Sequence, residues 1–204
     1  MKKYELTDET IIFEGRTLHR IRALRDIPSL YVKEGDLGGF VQSEDNLSQL
    51  DDCWIFDDAK AMDRSQVLGN SCMYDNSSVK DNSCMLDSSS LWDNSHMSGD
   101  SCMSENSSMY HKSCLIENGS LEENESLFYG LVLDRPAQVF KFKNIQCFIA
   151  KNKTGKLLLK AGCKVLPLSK KKIREALINQ GIRDKETIKL GLDLVQIYVK
   201  LFNR

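Results

Sequence analysis

Val67-Leu68-Gly69-Asn70-Ser71-Cys72 is followed at once by Met73-Tyr74-Asp75-Asn76-Ser77-Ser78, and the two blocks are variants of one six-residue pattern. The pattern runs through the middle of the chain. Its first position, at 55, 61, 67 and every sixth residue to 127, is apolar in all thirteen copies. Its fifth position, from 59 to 125, is Ser nine times, with Ala59, Gly119 and Glu125 as exceptions. Strand geometry sends alternate side chains to opposite sides, so an inward aliphatic residue and the small residue two places before it fill a narrow core. The fourth position is Asn in seven of twelve copies. Asn tolerates left-handed backbone better than other non-glycine residues, which predicts the corner there. A longer period is superimposed: Phe56, Tyr74, Trp92, Tyr110 and Phe128 recur every eighteen residues. Eighteen is three sixes, so the chain is expected to wind with three short strands per turn, and these rings form an outward ladder on one flank.

Such a repeat predicts a mainly β protein, a parallel β-helix in which each coil buries its faces on the next. The hexad resembles that of the left-handed β-helix of hexapeptide-repeat proteins. Four to five coils at strand spacing, about 4.8 Å each, make a rod roughly 20 Å long. Met73, Met85, Met97, Met103 and Met109 take inward slots, where an adaptable side chain fills an irregular prism. The expected organisation is an N-terminal β cap over 1–46, the repeats over 47–130, and a small basic α+β module over 131–204.

Ahead of the repeats, the segment from Thr10 to Leu24 reads as two short strands around a turn at Glu14-Gly15, and Gly35-Asp36-Leu37-Gly38-Gly39-Phe40 forces tight backbone. A rod needs its first coil covered, because a bare coil offers unpaired edges. After the repeats, Val139 to Lys143, Gln146 to Ile149 and Leu157 to Leu159 read as three strands, with a turn at Lys153-Thr154-Gly155-Lys156. Ser169 is the expected N-cap of a helix over 170–180 stopped by Gly181. Asp184 would cap a second, whose Ile188, Leu192, Val195 and Val199 share one face.

Three stretches carry a closer resemblance: Tyr4-Glu5-Leu6-Thr7-Asp8-Glu9-Thr10, then Leu18-His19-Arg20-Ile21-Arg22-Ala23-Leu24-Arg25-Asp26, then Gly35-Asp36-Leu37-Gly38-Gly39-Phe40-Val41 ahead of the hexads. Together with a trailing βββαα module they resemble hexapeptide-repeat proteins encoded by bacteriophages and prophages. The resemblance covers the whole architecture and implies a phage setting. Members carry labels such as acyltransferase or polymer-forming protein, and no family catalytic residue is available to carry over.

Charge is segregated along the chain. Residues 41–130 hold seventeen Asp and Glu against Lys60, Arg64, Lys80 and Lys112, a net −13, whereas 131–204 carry +12 and the first forty residues balance. Such asymmetry bears on association and charged partners rather than on fold. The seven cysteines, four of which (Cys72, Cys84, Cys102 and Cys114) alternate with Ser at the sixth hexad position, suit a reducing compartment. Without an apolar leader or a membrane-length stretch, the expected address is cytoplasmic, the host cytoplasm for a phage protein.

Several chemistries compete for these residues. An acyltransferase needs a general base at a cleft between rods. His96, in an outward strand slot, and His111, at a corner otherwise held by Asp, are the only histidines within the coils, and both read as solvated; no catalytic residue is assigned. Cys84 and Cys102 lie on one face one coil apart, but His96 falls on another and no Cys-x-x-Cys pair occurs, so neither metal nor cofactor is expected, and the thiols read as surface replacements for Ser. The ring ladder, widened by Trp54, is larger than a soluble monomer leaves exposed, which points to packing by the terminal module or a second subunit, or to stacking of nucleobases or a sugar.

The acidic residues Asp57, Asp75, Asp93, Asp63, Asp81 and Asp87 read as one face. Thirteen net charges over roughly 20 Å is about one per 1.5 Å, near the one per ≈ 1.7 Å of duplex DNA. A DNA-mimicking, anti-CRISPR-like inhibitor is the leading expectation: a non-enzymatic, oligomeric protein acting on a host protein or nucleoprotein complex, with no membrane partner. The alternatives are the acyltransferase and direct nucleic-acid binding through Lys170, Lys171 and Lys172, although those lysines could instead dock on the acidic rod.

Overall fold

The structure, a computed structural model, describes residues 2–135, 139–142, 145–162, 164–179 and 181–202. The chain divides into two compact units, Met1–Pro136 and Ala137–Arg204.

The first unit opens on a hairpin of β1 (Tyr4–Phe13) and β2 (Arg16–Ala23). Its two-residue turn is the expected Glu14-Gly15, with φ of 47° and 77°; β1 begins six residues before the predicted strand. β3 (Leu37–Val41) pairs antiparallel with β2 and parallel with Lys60–Ala61, joining the hairpin to the coils. Gly38 and Gly39 are required at this junction. A Cβ on Gly38 would sit 2.6 Å from the Ile55 carbonyl oxygen, and one on Gly39 2.5 Å from that of Ala59.

β4 to β16 are two-residue strands six residues apart: Trp54–Ile55, Lys60–Ala61, Gln66–Val67, Cys72–Met73, Ser78–Val79, Cys84–Met85, Ser90–Leu91, His96–Met97, Cys102–Met103, Ser108–Met109, Cys114–Leu115, Ser120–Leu121 and Ser126–Leu127. Each pairs in parallel with the strand eighteen residues away. The result is a parallel β-solenoid of about five turns with three faces. The first stacks β4, β7, β10, β13 and β16; the second runs β3, β5, β8, β11, β14 and β17 (Leu131–Leu133); the third holds β6, β9, β12 and β15. The first-position residues from Ile55 to Leu127 are fully buried, and so are the fifth-position serines from Ser65 to Ser113. Five of those serines donate their hydroxyls to carbonyls, as Ser83 does to Lys80 at 2.7 Å and Ser95 to Trp92 at 2.7 Å.

The corner differs from the expectation. Left-handed backbone falls on the third hexad position, not on the fourth-position Asn. Asp57, Asp63, Asp75, Asp81, Asp87, Asp93, Glu105, His111, Glu117 and Glu123 have φ between 51° and 61°, and Gly69 and Gly99 continue the set. The reason is the turn closure. The fifth-position N–H donates to the second-position carbonyl, as from Ala59 to Phe56 at 3.1 Å and from Ser77 to Tyr74 at 3.2 Å, so the third position is the first central residue. Asp, which also tolerates left-handed backbone, wins there because its carboxylate accepts a bond from the next coil.

The base of the solenoid is closed by two buried residues that the pattern did not single out. The Lys3 ammonium, fully buried, donates to the Leu50 carbonyl at 3.1 Å and the Cys53 carbonyl at 2.8 Å, satisfying acceptors that the first coil leaves open. Burial pushes its pKa below the ordinary lysine value. The Tyr4 hydroxyl donates to Leu47 at 2.7 Å, and its ring meets Trp54 edge-on at 6.3 Å.

Among its described residues the second unit has four antiparallel strands, β18 (Phe140–Phe142), β19 (Ile145–Asn152), β20 (Leu157–Ala161) and β21 (Lys164–Pro167), one more than predicted. β21 is short and ends on proline, which masks it in sequence. Lys143, predicted in the first of these strands, and Gln180, predicted at the end of a helix, lie outside the described residues. Helices α1 (Lys170–Asn179) and α2 (Lys185–Phe202) have the expected caps: the Ser169 hydroxyl accepts the Lys172 N–H at 3.2 Å and the Asp184 carboxylate that of Thr187 at 3.0 Å. Among the described residues no helix is long and apolar enough to cross a membrane.

Candidate binding surface

Phe56, Tyr74, Trp92, Tyr110 and Phe128 all follow strands of the first face, so the stacked coils bring them into one column. They cover one another. Phe56 and Tyr74 stack at 4.8 Å between centroids, Tyr74 and Trp92 at 3.7 Å, and Trp92 and Tyr110 at 6.3 Å, the first two pairs within 7° of parallel. All five rings are half-buried rather than openly exposed. Trp54 does not widen this surface, because it is 1% exposed beneath Tyr4. The ladder is first a device that holds coil on coil, and only the outer ring edges remain for a partner.

The six aspartates do not form one face. Asp57, Asp75 and Asp93 follow the first face, Asp63 and Asp81 the second, and Asp87 the third, so they occupy the three edges of the solenoid. Along each edge the carboxylate accepts the backbone N–H of the third-position residue one coil further on. Asp57 takes Asp75 at 3.2 Å, Asp75 takes Asp93 at 3.1 Å, and Asp93 takes His111 at 3.0 Å. Asp63 takes Asp81 at 3.3 Å, Asp81 takes Gly99 at 3.0 Å, and Asp87 takes Glu105 at 3.1 Å. These bonds fix the carboxylates at coil spacing. Asp63 is the exception in charge: Arg16 donates to it at 2.6 Å and holds its pKa below the usual carboxylate range.

The two coil histidines have different surroundings. His111 is exposed at its corner, 5.4 Å from the Tyr129 ring. His96 is half-buried, which corrects the solvated reading. Its Nδ1 lies 2.9 Å from the Ser78 hydroxyl one coil below, and desolvation, then Lys80, pushes its pKa below the ordinary value. Cys72 is buried, against its expected outward exposure, while Cys84 and Cys102 stand half-exposed in register on the third face. Among the described residues no group of three or more His, Cys, Asp or Glu is placed to hold a metal.

In the second unit Lys170, Lys171 and Lys172 are exposed on the first turn of α1, and Lys172 reaches Glu175 at 3.4 Å. Cations at a helix N-terminus oppose the helix dipole, and an anion there would relieve the conflict. Lys160 is buried, with its ammonium 5.1 Å from the centre of the Phe148 ring. The same unit has an open apolar pocket of about 410 Å³ lined by Phe142, Leu159, Ile173, Leu177 and Val195. Gly191 leaves room for the Phe142 ring, which a Cβ would meet at 3.0 Å.

No protein-family model matches this chain, and no curated protein does.

Proposed function

We propose that this is a non-enzymatic, phage- or prophage-encoded binding protein whose acidic coils enter a basic cleft of a host nucleic-acid-handling protein and inhibit it. The supporting observation is the set of edge carboxylates, each tied to the backbone of the next coil. Ordering a charged side chain on binding costs rotamer entropy, and these side chains are ordered beforehand. Their placement on three edges suits a cleft or channel better than a flat surface, because duplex DNA likewise carries its phosphates around its whole axis. The excess of carboxylate over residues 41–130, net −13, supplies long-range attraction to such a cleft. A left-handed hexapeptide-repeat solenoid is the form of coil this reading assumes.

The test is capture from nuclease-treated host cytoplasm. Tagged protein is expected to retain a basic nucleic-acid-binding protein that duplex DNA displaces, and Asp57→Asn with Asp75→Asn and Asp93→Asn is expected to reduce capture at least tenfold with the fold intact. Undiminished capture by the triple variant would refute the acidic mode. A second reading, direct nucleic-acid binding, is favoured by the three lysines on the first turn of α1. It predicts binding to bare DNA or RNA that Lys170→Ala, Lys171→Ala and Lys172→Ala weaken, with a salt slope reduced by about one per lost phosphate contact.

A further inference from the structure

The parallel register of β9 (Cys84–Met85) and β12 (Cys102–Met103) sets Cys84 directly beside Cys102. Their sulfurs are 2.8 Å apart and both residues are half-exposed. The other described cysteines lack this arrangement. Cys72 has Trp54 and Ser90 as its register neighbours, Cys114 has His96 and Val132, and Cys53 and Cys147 are buried. Registered neighbours in a parallel pair stand about 4.8 Å apart, inside the roughly 4.4 to 6.8 Å between Cα atoms that a disulfide spans. We propose that Cys84 and Cys102 form an oxidisable dithiol that closes to a disulfide across one coil of the solenoid.

Cys84 is the attacking sulfur. In the dithiol Cys84 donates to the Cys102 sulfur; once Cys84 has ionised the same contact reverses, and donation from the Cys102 thiol to the Cys84 thiolate brings the Cys84 pKa down to about 7. Cys102 is held protonated by the same bond. With hydrogen peroxide as oxidant, the Cys84 thiolate attacks one peroxide oxygen, the O–O bond breaks, and hydroxide leaves and takes up the proton that Cys84 released on ionising, giving the first water. The product is a sulfenic acid on Cys84. The Cys102 sulfur then displaces hydroxyl from that sulfenic acid, forming the S–S bond, and its proton goes with the departing oxygen as water. Two electrons pass from the two sulfurs to peroxide, and two waters result.

The disulfide would staple one coil to the next. It closes a loop of one full turn and adds a covalent link to the two-residue ladder that pairs these strands. The reduced chain carries seven cysteines. Treated with a small excess of hydrogen peroxide under native conditions, the monomer is expected to lose two titratable thiols and two hydrogens in mass. Peptide mapping should place the link between Cys84 and Cys102, and the melting temperature should rise by several degrees. Cys84→Ser is expected to abolish the link. Cys102→Ser keeps a hydroxyl donor and should leave a sulfenic acid on Cys84 that a dimedone probe traps, whereas Cys114→Ser should behave as wild type. Retention of all seven thiols, a link mapped to other cysteines, or cross-linking only between chains would overturn the proposal. The wild-type map decides this even if a variant fails to fold.

Discussion

At the scale of single residues, the corner aspartates serve backbone conformation and hydrogen bonding at once. Asp75 has φ of 58° and accepts the N–H of Asp93. Three substitutions separate these roles. Asp75→Asn keeps an acceptor and a tolerant backbone, so the expected loss is below about 1 kcal/mol. Asp75→Gly removes only the acceptor and should cost about 1 kcal/mol. Asp75→Ala adds the left-handed penalty, about 1 to 2 kcal/mol more. Urea denaturation reads all three, and equal losses for Gly and Ala would mean that the backbone conformation carries no cost here. His96 supplies a pH test. Its folded pKa lies below the ordinary histidine value because of burial and Lys80, with Glu14 and Asp81 acting the other way. Between the two pKa values the unfolded chain binds more protons, so stability is complete above about pH 6.5 and falls as pH drops below it. His96→Gln should flatten the melting temperature between pH 7 and pH 5.5; an unchanged slope would assign that limb to other groups.

At the scale of elements, two-residue strands are too short to be stable singly, and they persist because each is one rung of a stack. The ring ladder adds to that stack along one edge. Tyr74 and Trp92, 3.7 Å apart and within 7° of parallel, form its tightest pair. A double-mutant cycle of Tyr74→Leu and Trp92→Leu, followed by denaturation, is expected to give a coupling of about 1 kcal/mol. Additive losses would show that the rings share an edge without supporting each other. Among the described residues the buried indole N–H of Trp92 has no hydrogen-bond partner. The Leu substitution removes that N–H together with the ring, so the single variant at Trp92 is measured beside the double variant.

At the scale of the whole molecule, the net charge of −13 on residues 41–130 makes the stability of the acidic coils a salt-dependent quantity. Surface repulsion among edge carboxylates is screened beyond about 10 Å at 0.1 M salt. Melting at two ionic strengths is therefore expected to show the first unit stabilised by added salt, and the gain should shrink in the variant with Asp57, Asp75 and Asp93 changed to Asn. An identical gain in the variant would place the repulsion elsewhere. Self-association through the outer ring edges is tested by Trp92→Lys with Tyr110→Lys, which is expected to lower the light-scattering mass of an oligomeric wild type.

The sequence by itself determined the coil. A six-residue pattern with buried first and fifth positions admits three strands per turn, and the positions of Met73 or Ser77 in the core follow from that arithmetic alone. Helix caps at Ser169 and Asp184 were equally legible, because capping depends on residues three apart. What required tertiary structure was everything set by the relation of one coil to the next. Asp holds the left-handed third position, as at Asp75, because its carboxylate accepts an N–H eighteen residues away. Trp54 proved to be buried because Tyr4, fifty residues earlier, lies over it. The acidic residues lay on three edges rather than one face, since the hexad repeats three times in each turn. His96 against Ser78 and Cys84 against Cys102 became pairs only through register, which sets atoms one coil apart within contact while leaving them eighteen residues apart in sequence.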